Sequence, residues 1–151
     1  MKIKRGDIIT VIIESLSFGG SGFTKYDGIA IFVDKGLPGQ ELKIKLLRKY
    51  QNYFKAIIIE IINETSHFIK PQCQHFNDCG GCSFQNLKYE EQVIQKTNQV
   101  NDTLRHIGNL KSLKINPIII AKETFNYRNK MEFTFSNNPW FEKYNPKEKK
   151  E

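Results

Sequence analysis

Cys73, Cys79 and Cys82 are the only cysteines in the 151-residue chain, and they fall in one run, Cys73-Gln-His-Phe-Asn-Asp-Cys79-Gly-Gly-Cys82. A Cys-x5-Cys-x2-Cys array supplies three soft thiolates from one loop. Gly80 and Gly81 let the backbone turn tightly, so that Cys79 and Cys82 can face one ion or cluster. Thiolates select zinc or an iron–sulfur cluster. In a chain with no secretion signal, crowded thiols read as ligands rather than as disulfides. Buried inert thiols are the competing reading, and the clustering around Gly-Gly weighs against it. Three thiolates leave a four-ligand site one short. His75 could complete a Cys3His zinc tetrahedron, whereas a [4Fe–4S] cluster would normally take a fourth cysteine, which this chain lacks. The spacing leaves zinc and iron–sulfur both open.

A second set of residues interleaves cations with rings: Lys25 with Tyr26, Arg48-Lys49-Tyr50, and Tyr53-Phe54-Lys55. Basic grooves with stacking aromatics hold single-stranded nucleic acid. The competing reading is that these rings close the ends of a barrel. The net charge of +7 is uneven. Residues 1–63 carry +4, residues 64–110 carry −1, and residues 111–151 carry +4. A polyanion would meet two basic ends around a nearly neutral cysteine segment. Alternatively, the lysines serve solubility alone.

These residues need positioning elements, and the chain is long enough for one ordinary domain or two small ones. Residues 1–63 predict an OB-like five-stranded β-barrel, from four or five short strands that include Asp7–Glu14, Gly28–Val33, Gln40–Arg48 and Tyr53–Ile62. Gly-rich and Pro-Gly turns separate them, including the loop Ser15-Leu-Ser-Phe-Gly-Gly-Ser-Gly22. Residues 64–110 hold the irregular cysteine loop and then a helix over Leu87–Ile107, with Asn86 as N-cap and Gly108 just past its end. Tyr89, Val93, Thr97, Val100, Leu104 and Ile107 recur at helical spacing and are expected to pack in the core. Residues 111–151 predict the start of an incomplete α/β central domain, with strands at Leu113–Ile120 and Glu132-Phe-Thr-Phe135, then a charged tail over Asn145–Glu151. The fold class expected is α+β.

The cysteine run, continued as Ser83-Phe-Gln85, resembles the iron–sulfur motif of the RumA/TrmA-type RNA (uracil-C5)-methyltransferases, 23S rRNA branch. Gly28-Ile-Ala-Ile-Phe-Val33 and Leu37-Pro-Gly-Gln-Glu41 look like that family's N-terminal TRAM domain. Leu87-Lys-Tyr-Glu-Glu-Gln92 looks like the helix that follows the cysteines, and Tyr127-Arg-Asn-Lys130 like the entry to the central domain. The resemblance implies that Cys73, Cys79 and Cys82 are three ligands of a [4Fe–4S] cluster whose fourth ligand lies beyond this chain. His75 is then a loop residue. It implies RNA, and 23S rRNA in particular, as partner. Lys25, Arg48, Lys49, Lys55, Arg128 and Lys130 are candidate RNA contacts, with Arg128 equally suited to bracing a central-domain strand.

The family's reaction moves a methyl group from S-adenosylmethionine to uracil C5, after a catalytic cysteine adds to C6 of a base flipped from its stack. That chemistry needs a further cysteine, a carboxylate base and a cofactor domain with Gly-rich turns. The chain has no further cysteine and no Gly-x-Gly-x-x-Gly, so catalysis by this chain alone is not expected. It reads as the front portion of something longer, a truncated frame or one part of a split enzyme served by a separate catalytic domain. No apolar run approaches the roughly 20 residues of a membrane helix, and the N-terminus lacks the apolar core of a signal peptide. The expectation is a cytoplasmic monomer with no membrane partner.

Overall fold

The computed structural model describes residues 3–76, 79–110, 112–130, 132–133 and 135–137. Alternation fixes the inside and outside of the first half. In Glu41–Lys49, Leu42, Ile44 and Leu46 are fully buried while Lys45 and Leu47 are exposed, the two-residue period of a half-buried strand. Six strands result: β1 (Ile8–Ile12), β2 (Ser15–Leu16), β3 (Gly22–Tyr26), β4 (Ile29–Val33), β5 (Glu41–Lys49) and β6 (Tyr53–Asn63). Their order in the sheet is β1-β5-β6-β4-β3-β2. Only the β4–β6 pair is parallel.

The expected five strands become six because the first one bends. β1 pairs with β5 and β2 with β3, so the two ends of the sheet order are halves of one segment. At the bend the Ile13 N–H donates to Gln40 O (3.0 Å) and the Glu14 N–H to Phe23 O (2.9 Å), carrying the pairing from one edge to the other. The sheet thereby closes into an OB-like barrel, which removes the edges that an open sheet leaves unpaired. Val11, Ile13, Ile31, Val33, Leu42, Ile44, Leu46, Phe54 and Ala56 fill its interior. β3 begins inside the stretch that the sequence suggests is all loop. Gly22 is needed there, because a Cβ would stand 2.7 Å from Gly36 O.

A knot of polar groups ties the barrel to the segment after β6. Gln40, 3% exposed, accepts from the Leu37 N–H (2.7 Å) and donates to Glu64 Oε1 (2.7 Å), which also accepts from the Thr65 N–H. Leu16, Leu37 and Leu87 then form a second small core with Phe84 packed on it.

The helix α1 (Tyr89–Asp102) is followed by a π-helical turn at Thr103–Ile107. It meets the barrel through a polar face, contrary to the expected apolar stripe. Gln95 Oε1 accepts from the Leu16 N–H (2.9 Å), and Gln99 Nε2 donates to the carbonyls of Leu16 (3.1 Å) and Ser17 (3.0 Å). Two glutamines one turn apart thus satisfy both backbone groups of a β2 residue, as a neighbouring strand would. Gln95 also donates to Glu91 (2.8 Å), and both are buried. Val100 and Ile107, expected in the core, are exposed on another face. Lys88 rather than Asn86 precedes the first turn, and Leu87 instead bridges to Phe68. Gly108 is right-handed, and Asn109 takes the positive φ that ends the helix.

The strand expected over Leu113–Ile120 does not form. The segment has no regular structure, with Ile119 95% exposed, and the described part of residues 132–135 is likewise irregular. A lone extended segment with no paired neighbour leaves its N–H and C=O groups to solvent and is not a stable strand. The tail Asn145–Glu151 lies outside the described residues, as does Thr134.

Gln95→Ala should lower stability by about 1–3 kcal/mol, since it strands a buried backbone N–H. Val100→Ala, on the uncovered face, should change it by less than about 0.5 kcal/mol. Urea unfolding of the two variants separates a polar docking face from an apolar one.

Candidate nucleic-acid interface and cysteine loop

Strand register decides which side chains share the outer face of the barrel. Phe23 pairs with Phe32, and Phe32 with Lys55; one step along, Lys25 pairs with Ala30, and Ala30 with Tyr53. These two rows alternate with the buried row Thr24–Ile31–Phe54, so they face outward together. The rings meet across the strands. Phe23 and Phe32 centroids are 5.5 Å apart, Phe32 and Tyr53 meet edge to face at 5.1 Å, and Tyr53 stacks on Tyr50 at 4.5 Å. Four half-buried rings therefore run in one line over β3, β4, β6 and the β5–β6 turn.

Cations flank that line. The Arg48 guanidinium lies 4.9 Å from the Tyr50 centroid, and the Lys55 ammonium 5.7 Å from the same ring. Each pairing places a charge on a ring face in the cation–π range. Lys25 is exposed in the row beside Tyr53. Five of the residues singled out from sequence, Lys25, Arg48, Tyr50, Tyr53 and Lys55, are thus brought together. Lys49 is not with them: it pairs with Phe54 and sits 5.9 Å over that ring, at the end of the interior face. Tyr26 packs against the core, and Phe54 is wholly inside it. Arg128 and Lys130 lie on the irregular segment after the helix. Lys130 pairs with Glu132 at 2.8 Å, and Arg128 makes no polar or ring contact among the described residues. Phe18, Phe23 and Phe32 join the face without a signal in the cation-plus-ring runs. Only the two-residue alternation of Gly22–Tyr26 and Ile29–Val33 could have found Phe23 and Phe32.

The cysteines occupy a clasped loop. Phe68 bridges to Leu87, the Ile69 N–H donates to Asn86 O (3.1 Å), and the Lys88 N–H donates to His67 O (2.9 Å). This short antiparallel clasp closes the base of the loop, and Phe84 packs it against the second small core. Within the loop, Gln85 Oε1 accepts from the Cys73 N–H (3.2 Å) while Gln85 Nε2 donates to Cys82 Sγ (3.1 Å). One side chain thereby ties the first cysteine to the last. The Cys79 N–H donates to His75 O (2.9 Å), and the Gly81 N–H to Cys79 O. His75 Nε2 lies 3.1 Å from Gln74 Nε2.

Cys79 and Cys82 line a cavity of about 180 Å³ whose opposite wall is Gly19, Gly20 and Ser21 of the barrel. Asn86, which also lines the cavity, keeps a buried Oδ1 without a hydrogen-bond partner among the described residues. All three thiols are free and exposed. Among the described residues, no three His, Cys, Asp or Glu side chains are grouped to hold one metal ion. By the chemistry of the donor set, three thiolates on one pinned loop suit zinc or an iron–sulfur cluster alike.

Residues 2–59 match the TRAM domain family. The chain is 36% identical over 131 residues to an uncharacterized RNA methyltransferase of Nitratidesulfovibrio vulgaris, an alignment covering 87% of this chain and 28% of the relative. A relative of the same description from Halalkalibacterium halodurans is 35% identical over 130 residues (86% of this chain, 28% of the relative). One from Bacteroides thetaiotaomicron is 39% identical over 121 residues (80% and 27%). The chain spans little more than a quarter of the length of these curated relatives.

The exposure of all three thiols has a direct check. In metal-free protein under native conditions, a thiol reagent should modify three cysteines without denaturant. Fewer than three would mean that the loop folds its sulfurs inward.

Proposed function

The chain is a TRAM-domain relative of the RNA methyltransferases, and from that premise we propose that it is the RNA-holding and [4Fe–4S]-binding portion of an S-adenosylmethionine-dependent 23S rRNA uracil-C5 methyltransferase. The observation that carries the RNA part is the line of rings from Phe23 to Tyr50 with Arg48 and Lys55 set against it. Rings offer every base a π face, and the flanking cations meet phosphates, so the surface suits unpaired RNA. Lys25 adds a third charge on the same side.

The cluster part rests on the donor set. Cys73, Cys79 and Cys82 would each hold one iron, and Gln85 would orient the loop through its bond to Cys82 Sγ. The cluster would serve to order the loop beside the barrel. Methyl transfer would belong to the rest of the protein, which would supply the fourth ligand, the cofactor domain and the catalytic cysteine. Its place of work would be the cytoplasm, where rRNA is made and thiols stay reduced.

Two measurements on the 151-residue chain test this reading. Affinity for single-stranded RNA should fall steeply with salt, and Arg48→Ala and Lys55→Ala should each reduce the log–log slope by about 0.7 to 1. After reconstitution with iron and sulfide under anaerobic conditions, the protein should be brown and hold iron. Cys79→Ala should lose that iron and His75→Ala should keep it. A colourless protein with one zinc that His75→Ala releases would replace the cluster with a Cys3His zinc site. Salt-independent or absent RNA binding would remove the RNA reading.

A further inference from the structure

We propose that the groove between the Ser17–Ser21 turn and the aromatic face is a subsite for one unpaired nucleobase, with Phe18 as its outer wall. The proposal deepens the RNA-binding reading and rests on it. The groove has a volume of about 370 Å³ and is lined by Ser17, Phe18, Ser21, Phe32, Tyr53 and Lys55. That is many times the roughly 30 Å³ a water molecule occupies in the liquid, which leaves room for a flat heterocycle. Phe32 and Tyr53 form the floor as members of the ring line, and Lys55 lines the same groove with its ammonium 5.7 Å from the neighbouring Tyr50 ring.

Phe18 is the informative residue. Its side chain is 91% exposed, which leaves a large apolar ring almost fully in water. The turn that carries it is nonetheless well braced. The Ser17 N–H donates to Ser21 O (2.8 Å), Ser17 Oγ donates to the same carbonyl (2.9 Å), and the Gly20 N–H donates to Ser17 O (3.0 Å). From behind, Gln99 binds the Leu16 and Ser17 carbonyls, and Gly20 sits so close to the Phe84 ring that a Cβ would come within 3.1 Å of it. An exposed ring held on a fixed turn opposite two further rings gains nothing for the fold. It gains a partner if a planar group enters between them.

The chemistry of the lining selects the planar group. Ser17 Oγ spends its proton on Ser21 O and so offers lone pairs, while the Ser21 hydroxyl and the Lys55 ammonium offer protons. A nucleobase edge carries both donors and acceptors, and the phosphate attached to it would meet Lys55 and Arg48. A phenylalanine or leucine side chain from a protein partner would use the rings and leave the cation and hydroxyls unanswered. Charge complementarity therefore favours a base of single-stranded RNA.

The test uses the 151-residue chain and a short single-stranded RNA carrying one 2-aminopurine, whose fluorescence falls on stacking. With wild type, binding should quench the probe. Phe18→Ala should bind roughly ten-fold more weakly and lose the quenching, while keeping the salt slope. Phe18→Trp should restore both. Duplex RNA of the same sequence should bind wild type and Phe18→Ala alike. Thermal melting should show the same midpoint for the variants, because Phe18 has almost no packing to lose. If Phe18→Ala binds and quenches as wild type does while the salt slope persists, the subsite is wrong and the RNA-binding reading stands. If wild type binds no RNA, both fall. If duplex and single strand lose affinity equally on Phe18→Ala, the turn contacts backbone rather than a base, and the proposal is overturned.

Discussion

Leu16 holds the architecture together through its backbone rather than its side chain. β2 is only two residues long, and its outer edge would expose an N–H and a C=O at the barrel's closing seam. Gln95 and Gln99 supply the missing partners from a helix some eighty residues further along the chain. An unpaired buried backbone group costs as much as a lost hydrogen bond, so the helix cannot leave without penalising the barrel. The same contacts fix the height of the Ser17–Ser21 turn above the sheet. They also set the clasp at Phe68–Leu87, because Leu87 shares the small core with Leu16. Seam, turn and cysteine loop are all positioned by this one docking.

Closure of the barrel explains why a ring line can sit on its outside. The interior is filled by aliphatic side chains and one phenylalanine, Phe54, so no space remains inside for Phe23, Phe32 or Tyr53. The two-residue period then forces these three outward in adjacent rows. Half-burial by mutual contact reduces the cost of leaving them on the surface. The parallel pairing of β4 and β6 brings Phe32 beside Lys55, and no hairpin could place these two segments together.

Much of this was legible in the sequence, and the failures have physical causes. The strand over residues 41–49 is plain from Leu42, Ile44 and Leu46 alternating with lysines. β3 was hidden because Gly22 looks like the last residue of a glycine loop, and only the close approach to Gly36 O shows why a strand starts there. The helix itself was legible, but its buried face was not. Periodicity marks apolar residues, whereas the barrel seam asked for amide side chains that can both donate and accept, so Gln95 and Gln99 took the inner face. The cysteines stand out by type and spacing, which leave zinc and iron–sulfur both open. The clasp that carries them depends on Phe68 and Leu87, nineteen positions apart, and no local pattern reports such a pairing. Lys49 shows the limit of reading cations by proximity: one residue after Arg48, it points to the opposite face of the same strand.

The Ser17–Ser21 turn stands between the two candidate sites and belongs to both. Gly19, Gly20 and Ser21 form one wall of the cavity that Cys79 and Cys82 line, while Ser17, Phe18 and Ser21 form one wall of the aromatic groove. Ser21 faces each of them. The turn has little freedom to move toward one side without moving from the other, since three hydrogen bonds close it on itself. Gly20 is pressed against Phe84, two residues past Cys82, so a change in the path of the cysteine loop reaches the turn through a single packed ring. Interiors packed this closely transmit displacement rather than absorb it. Any group that orders the cysteine loop therefore also sets where Phe18 stands over the groove.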